Sequence, residues 1–76
     1  MKVKKGIYKH FKGEKYEVIG VGKHSETLED YVVYEALYKN KMAKLWVRPL
    51  DLFTDYKELN GRKVKRFKYI GREKLE

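Results

Sequence analysis

The chain has 76 residues, a formal net charge of +8 and no cysteine. That length is one domain, without disulfides or thiolate zinc sites, so apolar packing has to hold it, and Trp46, seven tyrosines and three phenylalanines supply the area. No apolar run nears the roughly 18 residues of a membrane span, and the basic start Met1-Lys2-Val3-Lys4-Lys5-Gly6 is not followed by a signal-peptide core, so a cytoplasmic location is expected.

Residues 7–11 read as a short strand, with Ile7, Lys9 and Phe11 on one face and Tyr8 and His10 on the other. Lys12-Gly13-Glu14-Lys15 is a polar turn in which Gly13 supplies positive φ. Residues 16–24 form a longer strand with apolar groups on both faces, and Gly20 and Gly22 inside it mark a bulge or bend. Burying both faces of a bent strand is what a small closed barrel requires. Residues 25–30 are a polar loop, and residues 31–38 are strongly β-prone. Lys39-Asn40-Lys41 is a turn, or part of a loop running to Ala43. The strand at 44–48 places Leu45 and Val47 opposite Trp46, and Pro49 ends it because proline cannot donate to a ladder.

From Pro49 the pattern turns helical, with Asp51 in the first turn and apolar pairs Leu50/Phe53 and Leu52/Tyr56. Asn60-Gly61 closes that segment or makes a turn. One short α- or 3₁₀ turn is expected here, then a last strand at 65–70, with fraying after Gly71. The fold expected is all-β: a small SH3-like barrel of about five strands with one short helical turn before the last strand, a single domain over 1–76 with an ordered core at 6–70.

Charge is polarised along the chain. Seven of the residues from Arg62 to Lys74 are basic against one acid, Glu73, and Lys2, Lys4, Lys5, Lys9, Lys12 and Lys15 stand against Glu14 alone. Between Ser25 and Tyr38 there are four acids and no base. In an SH3-like barrel the first and last strands are close, which would merge the basic ends into one positive face able to attract anions. The plainer reading is a soluble, lysine-rich surface.

Catalytic motifs are sparse. His10 and His24, with Glu26 near the latter, are too few ligands for zinc, so no metal or cofactor is expected. His24-Ser25-Glu26 sets base, hydroxyl and acid in a row, but neighbours in sequence do not make a triad in space, and Ser25 and Thr27 suit local loop bonding. Gly20-Val21-Gly22 is only a fragment of a dinucleotide-binding fingerprint. Aromatics interleaved with bases are more informative: Tyr8, Tyr34, Trp46, Phe67 and Tyr69 among Lys9, Arg48, Arg66 and Lys68, a composition that stacks nucleobases and holds phosphates when exposed. Trp46, Phe53 and Phe67 are expected in the core instead. Arg48, beside Trp46, suits a carboxylate or phosphate, or an ion pair with Glu26 or Asp51.

The strings 6-GIYKHFKG-13, Tyr16-Glu17-Val18, His24-Ser25-Glu26-Thr27, Val32-Val33-Tyr34, Leu45-Trp46-Val47-Arg48-Pro49, Phe53 and Arg66-Phe67 resemble, in order and spacing, the bacterial family catalogued as domain of unknown function 1653. The resemblance implies a small cytoplasmic bacterial protein with an SH3-like barrel; it carries no activity or catalytic residue. One departure is residues 39–44, where the family pattern has a shorter, glycine-containing turn. Its matching polar positions are His10, Lys12, His24, Ser25, Glu26, Thr27, Arg48 and Arg66, which form either a site at one rim or a network holding the loops. With Tyr34 and Trp46 added, His10, Lys12, His24, Ser25, Glu26, Arg48 and Arg66 are the expected binding residues, and His24, Glu26, Trp46 and Arg48 are expected to share the rim. The expected function is a non-enzymatic module for an anionic partner such as RNA, DNA or an acidic protein segment. The alternatives are a small carboxylate or phosphate at the rim, or an extended peptide in an aromatic groove.

Overall fold

Val32, Tyr34 and Ala36, two residues apart, are all buried, while the residues between them are half-exposed. That period of two makes one face of a strand the floor of the core. The computed structural model describes residues 3–72 and orders them as β1 (Gly6–His10), β2 (Lys15–Lys23), β3 (Asp30–Ala36), β4 (Leu45–Pro49), α1 (Leu50–Phe53), β5 (Tyr56–Leu59), β6 (Arg62–Lys65) and β7 (Phe67–Gly71). Fraying expected beyond Gly71 concerns mainly residues 73–76, which lie outside the described residues.

Five strands form one antiparallel sheet in the order β4-β3-β2-β1-β7, and β5 pairs with β6 as a separate hairpin. Two irregularities bend the large sheet. In β2 the pairing to β3 skips from Val18 to Gly20, so Ile19 is an extra residue and faces solvent. In β1 the pairing to β7 shifts between Ile7 and Tyr8. Next to that shift, Gly6 has φ +139°, and a Cβ there would stand 2.5 Å from the Gly71 carbonyl oxygen and 2.9 Å from Tyr69 Cε1. Only glycine fits a backbone approach that close.

The curled sheet does not close by hydrogen bonding, because β4 and β7 are both edges. Side chains fill the seam. Phe53, delivered by α1, lies flat on Phe67 of β7 with ring centroids 4.1 Å apart and planes 5° from parallel. Tyr8 and Tyr34 meet Phe53 edge-on, each at 5.4 Å. Phe53, Val18 and Val32 are the most deeply buried large side chains, so the core is a small cluster with Phe53 and Phe67 near its middle. Trp46 packs against that core, its Nε1–H donating to the Ala43 carbonyl at 3.0 Å. Asn40 Oδ1 accepts from the backbone N–H of Met42 and Ala43, both at 3.0 Å, so the longer loop to Ala43 is the one formed, and β3 ends at Ala36.

The all-β class and the short helix agree with the sequence reading, but the strand set grows by a hairpin. The helix stops at Phe53 after a single turn. Leu52 and Tyr56, spaced as a helical pair, are both about half-exposed, because no surface waits to bury them. Asn60 and Gly61 have φ of 53° and 77°, the two positive angles of a two-residue turn whose twist suits a hairpin. Lys65 therefore belongs to β6, and the last strand begins at Phe67, after the corner residue Arg66.

Candidate functional site

Pairing of β1 with β7 puts Lys9 directly opposite Lys68. Like charges facing across a ladder are locally unfavourable. The basic ends expected to meet do meet: Phe11 N–H donates to the Arg66 carbonyl at 2.9 Å, and Lys4 Nζ sits 5.0 Å from the Tyr69 ring centre. The hairpin stands beside this positive strip, and a groove of about 630 Å³ opens between them. Phe11, Tyr56, Leu59 and Tyr69 give it an apolar floor, and Lys9, Lys63, Lys65 and Lys68 surround it. No acidic side chain is among its lining residues. Tyr56 is 51% exposed and Lys63 Nζ lies 5.7 Å from its ring centre, so an aromatic face and a cation are presented together.

The hairpin is clasped at its base. Arg66 Nε and Nη2 donate to Asp55 Oδ1 and Oδ2 at 2.6 and 3.0 Å, and Arg66 N–H donates to the Asp55 carbonyl at 3.1 Å. These bonds hold the Asp55 carboxyl below the usual carboxylate range and raise Arg66.

Behind the clasp, side chains gather around the Phe67 ring. Ring centres of His10, Tyr34 and Tyr16 lie 4.9, 5.5 and 5.6 Å from it, and the Arg48 guanidinium carbon lies 5.5 Å away. Arg48 Nε donates to the Tyr34 hydroxyl at 3.3 Å. Tyr16 and Tyr38 share a hydroxyl–hydroxyl bond of 2.6 Å, and burial, followed by that bond, raises the Tyr16 pKa. His10 Nδ1 accepts the Lys12 backbone N–H at 3.1 Å, so its neutral form carries the proton on Nε2. Burial lowers its pKa, and the positive charges of Arg48 and Arg66 lower it further.

Residues 6–69 match the family described as a protein of unknown function, DUF1653. The chain belongs to this family. A crystal structure of a DUF1653 protein from Bordetella bronchiseptica is similar over 99% of this chain and 96% of that one, with a TM-score of 0.91 and 29% sequence identity. Comparison with curated proteins gives no match.

Of the positions shared with the DUF1653 pattern, His10, Arg48 and Arg66 come together around Phe67, with Tyr34 beside them. Lys12 is exposed on the β1–β2 turn, its Nζ 5.9 Å from the Phe11 ring centre. The expected rim of His24, Glu26, Trp46 and Arg48 is not assembled. Arg48 and Trp46 pair with Val32 and Tyr34 and so share the core face of the sheet. The His24 ring packs at 5.8 Å on Tyr31, which alternates to the other face. His24 Nδ1 accepts the Glu26 and Thr27 backbone N–H at 3.2 and 3.3 Å, and Thr27 Oγ1 accepts that of Glu29 at 3.2 Å. His24 and Thr27 thus brace the loop that holds Ser25 and Glu26, all exposed. Arg48 pairs with neither Glu26 nor Asp51; its side chain meets the Tyr34 hydroxyl and the Phe67 ring. Among the described residues no three His, Asp or Glu side chains converge as a metal cluster, and no helix is long and apolar enough to cross a membrane.

Asp55, Tyr16 and the groove residues Tyr56, Leu59, Lys63 and Lys65 were not marked by the sequence reading as site residues. A signal was present for the last four: Asn60-Gly61 between two short runs is a strong hairpin mark. Nothing local in sequence marks Asp55 as the partner of Arg66, eleven residues on.

Proposed function

We propose that this DUF1653 chain is a non-enzymatic binding module, at work in the cytoplasm, whose partner is a single-stranded nucleic acid lying in the groove between the β1–β7 edge and the β5–β6 hairpin. The observation that carries the reading is the lining of that groove: four lysines around aromatic and apolar side chains, with no acid among them. Single-strand binders combine these two elements. Cations track the phosphates, and aromatic faces take the bases at roughly 1–3 kcal/mol per stacked base. A binding role also fits the histidines, since Nδ1 of both His10 and His24 is engaged by local backbone N–H groups.

The test is an amide NMR titration of labelled protein with a short single-stranded RNA at low and moderate salt. Shifts should concentrate at Lys9, Phe11, Tyr56, Lys63, Lys65 and Lys68. If four phosphates are met by the four lysines, the logarithm of affinity should fall against the logarithm of salt with a slope of roughly −3. An absence of shifts at low salt, or shifts confined to the His24 loop, would overturn the reading.

A further inference from the structure

Arg48 is a half-buried cation that forms no ion pair among the described residues. Its guanidinium lies over Phe67, and Asp55, a carboxylate that feels its charge, already gives both oxygens to Arg66. Among the described residues the ion pairs are Lys23–Asp30, Lys44–Glu35 and Arg66–Asp55, and none includes Arg48. Among the described residues its hydrogen bond is made by Nε alone, at 3.3 Å from the Tyr34 hydroxyl. With Nε on the Tyr34 hydroxyl and the guanidinium over the Phe67 ring, the two Nη groups are left to act as a fork, which is how arginine receives two oxygens at once.

Its neighbours are donors as well. The Tyr34 hydroxyl accepts from Arg48, so its own proton is available. The Nδ1 acceptor role of His10 leaves Nε2–H to donate. Both rings flank the same Phe67 as Arg48 does. The Arg66–Asp55 pair beside them cancels its own charge, so the group carries the net positive charge of Arg48.

We infer that Arg48, with Tyr34 and His10, forms a second site, distinct from the lysine groove, that takes a phosphate monoester. A tetrahedral oxyanion accepts a bidentate fork and still has oxygens for the hydroxyl and the imidazole N–H. The phosphate is either that of a free phosphorylated compound or the terminal phosphate of a nucleic-acid strand. His10 also lines the groove, so the two sites adjoin there.

The probe is sodium phosphate, titrated into labelled protein at constant ionic strength against sodium chloride, with the Arg Nε–Hε and His ring signals followed. Saturable shifts at Arg48 and His10, absent at Lys63 and Lys68, are expected. They should vanish in Arg48→Gln and weaken about tenfold or more in Arg48→Lys, which keeps the charge but loses the fork. Tyr34→Phe, which keeps the ring in the core, should weaken them without changing the dispersion of the amide spectrum. Equal shifts in wild type and Arg48→Gln, or an unsaturated drift shared by all lysines, would overturn the site. A second arm compares 5′-phosphorylated and 5′-hydroxyl forms of one oligonucleotide. Preference for the phosphorylated strand that disappears in Arg48→Gln assigns the site to strand ends; saturable phosphate binding with no such preference assigns it to free phosphate compounds. The phosphate titration contains no nucleic acid, so its result stands whether or not the lysine groove binds RNA.

Discussion

Removing the Asp55–Arg66 clasp should loosen the hairpin and leave the sheet folded. The pair is bidentate, at 2.6 and 3.0 Å, and its side chains are 28% and 19% exposed. Exposed pairs couple by about 0.2–1 kcal/mol, whereas hydrogen bonds to charged groups contribute about 1.5–3 kcal/mol. This half-buried fork belongs between them, so a coupling of about 1.5 kcal/mol is expected from the cycle Asp55→Ala, Arg66→Ala and the double variant. For a domain of this size about 1 kcal/mol corresponds to 4–8 °C, so the clasp accounts for roughly 6–12 °C of melting temperature. The two single variants should differ. Arg66→Ala leaves Asp55 near Lys57 and Arg48, whose charges still favour the carboxylate, while Asp55→Ala removes the carboxylate that faces both Arg66 and Arg48. Asp55→Ala should therefore be the costlier change. The assay is thermal unfolding by circular dichroism at neutral pH, with amide exchange at Lys57 and Val64 reporting opening of the hairpin. Coupling below about 0.3 kcal/mol, within the error of additivity, would refute the argument that partial burial strengthens the pair.

Gly6→Ala combines a strained φ with a Cβ 2.5 Å from the Gly71 carbonyl oxygen, and should destabilise by roughly 2–5 kcal/mol. Gly13→Ala, also at positive φ (113°) but in open space, should cost only about 1 kcal/mol, and chemical unfolding of both separates strain from collision. In the RNA titration, Lys63→Ala and Lys68→Ala should each reduce the salt slope by about 0.7 without changing sequence preference; an unchanged slope would remove those lysines from the interface. His10 has a folded-state pKa below its ordinary value of 6.5, so as pH falls below that value the unfolded chain takes up the proton first. Stability should then decline with falling pH from about 6.5 down to the folded pKa, and His10→Phe should flatten that part of a melting-temperature profile.

Much of the sheet was readable because its cause is local. Val32, Tyr34 and Ala36 alternate on β3, Gly20 marks the bulge that expels Ile19, and Pro49 ends β4. The hairpin was missed because Leu50/Phe53 and Leu52/Tyr56 carry helical spacing, and a four-residue helix followed by a hairpin differs from a longer helix only in what lies beneath it. Phe53 meets Phe67 and is buried; Leu52 and Tyr56 stay about half-exposed. The candidate site was half-legible for a similar reason. His10, Tyr34, Arg48 and Arg66 carry chemistry that composition flags, but whether His24 or His10 would join Arg48 depended on face parity across β3, which the residue types do not express.

The sequence by itself determined the all-β class, the positive glycine turns, the basic ends and the family to which the chain belongs, since each follows from residue type and spacing along the chain. Only the tertiary structure decided that β1 and β7 are neighbours, that Lys9 faces Lys68, that Asp55 is bound by Arg66, and that Arg48 lies over Phe67 with no carboxylate partner among the described residues. Those relations join residues more than sixty positions apart, as Ile7 and Gly71 are. They arise when a bent sheet brings its ends together and aromatic packing, not sequence proximity, chooses which side chains meet.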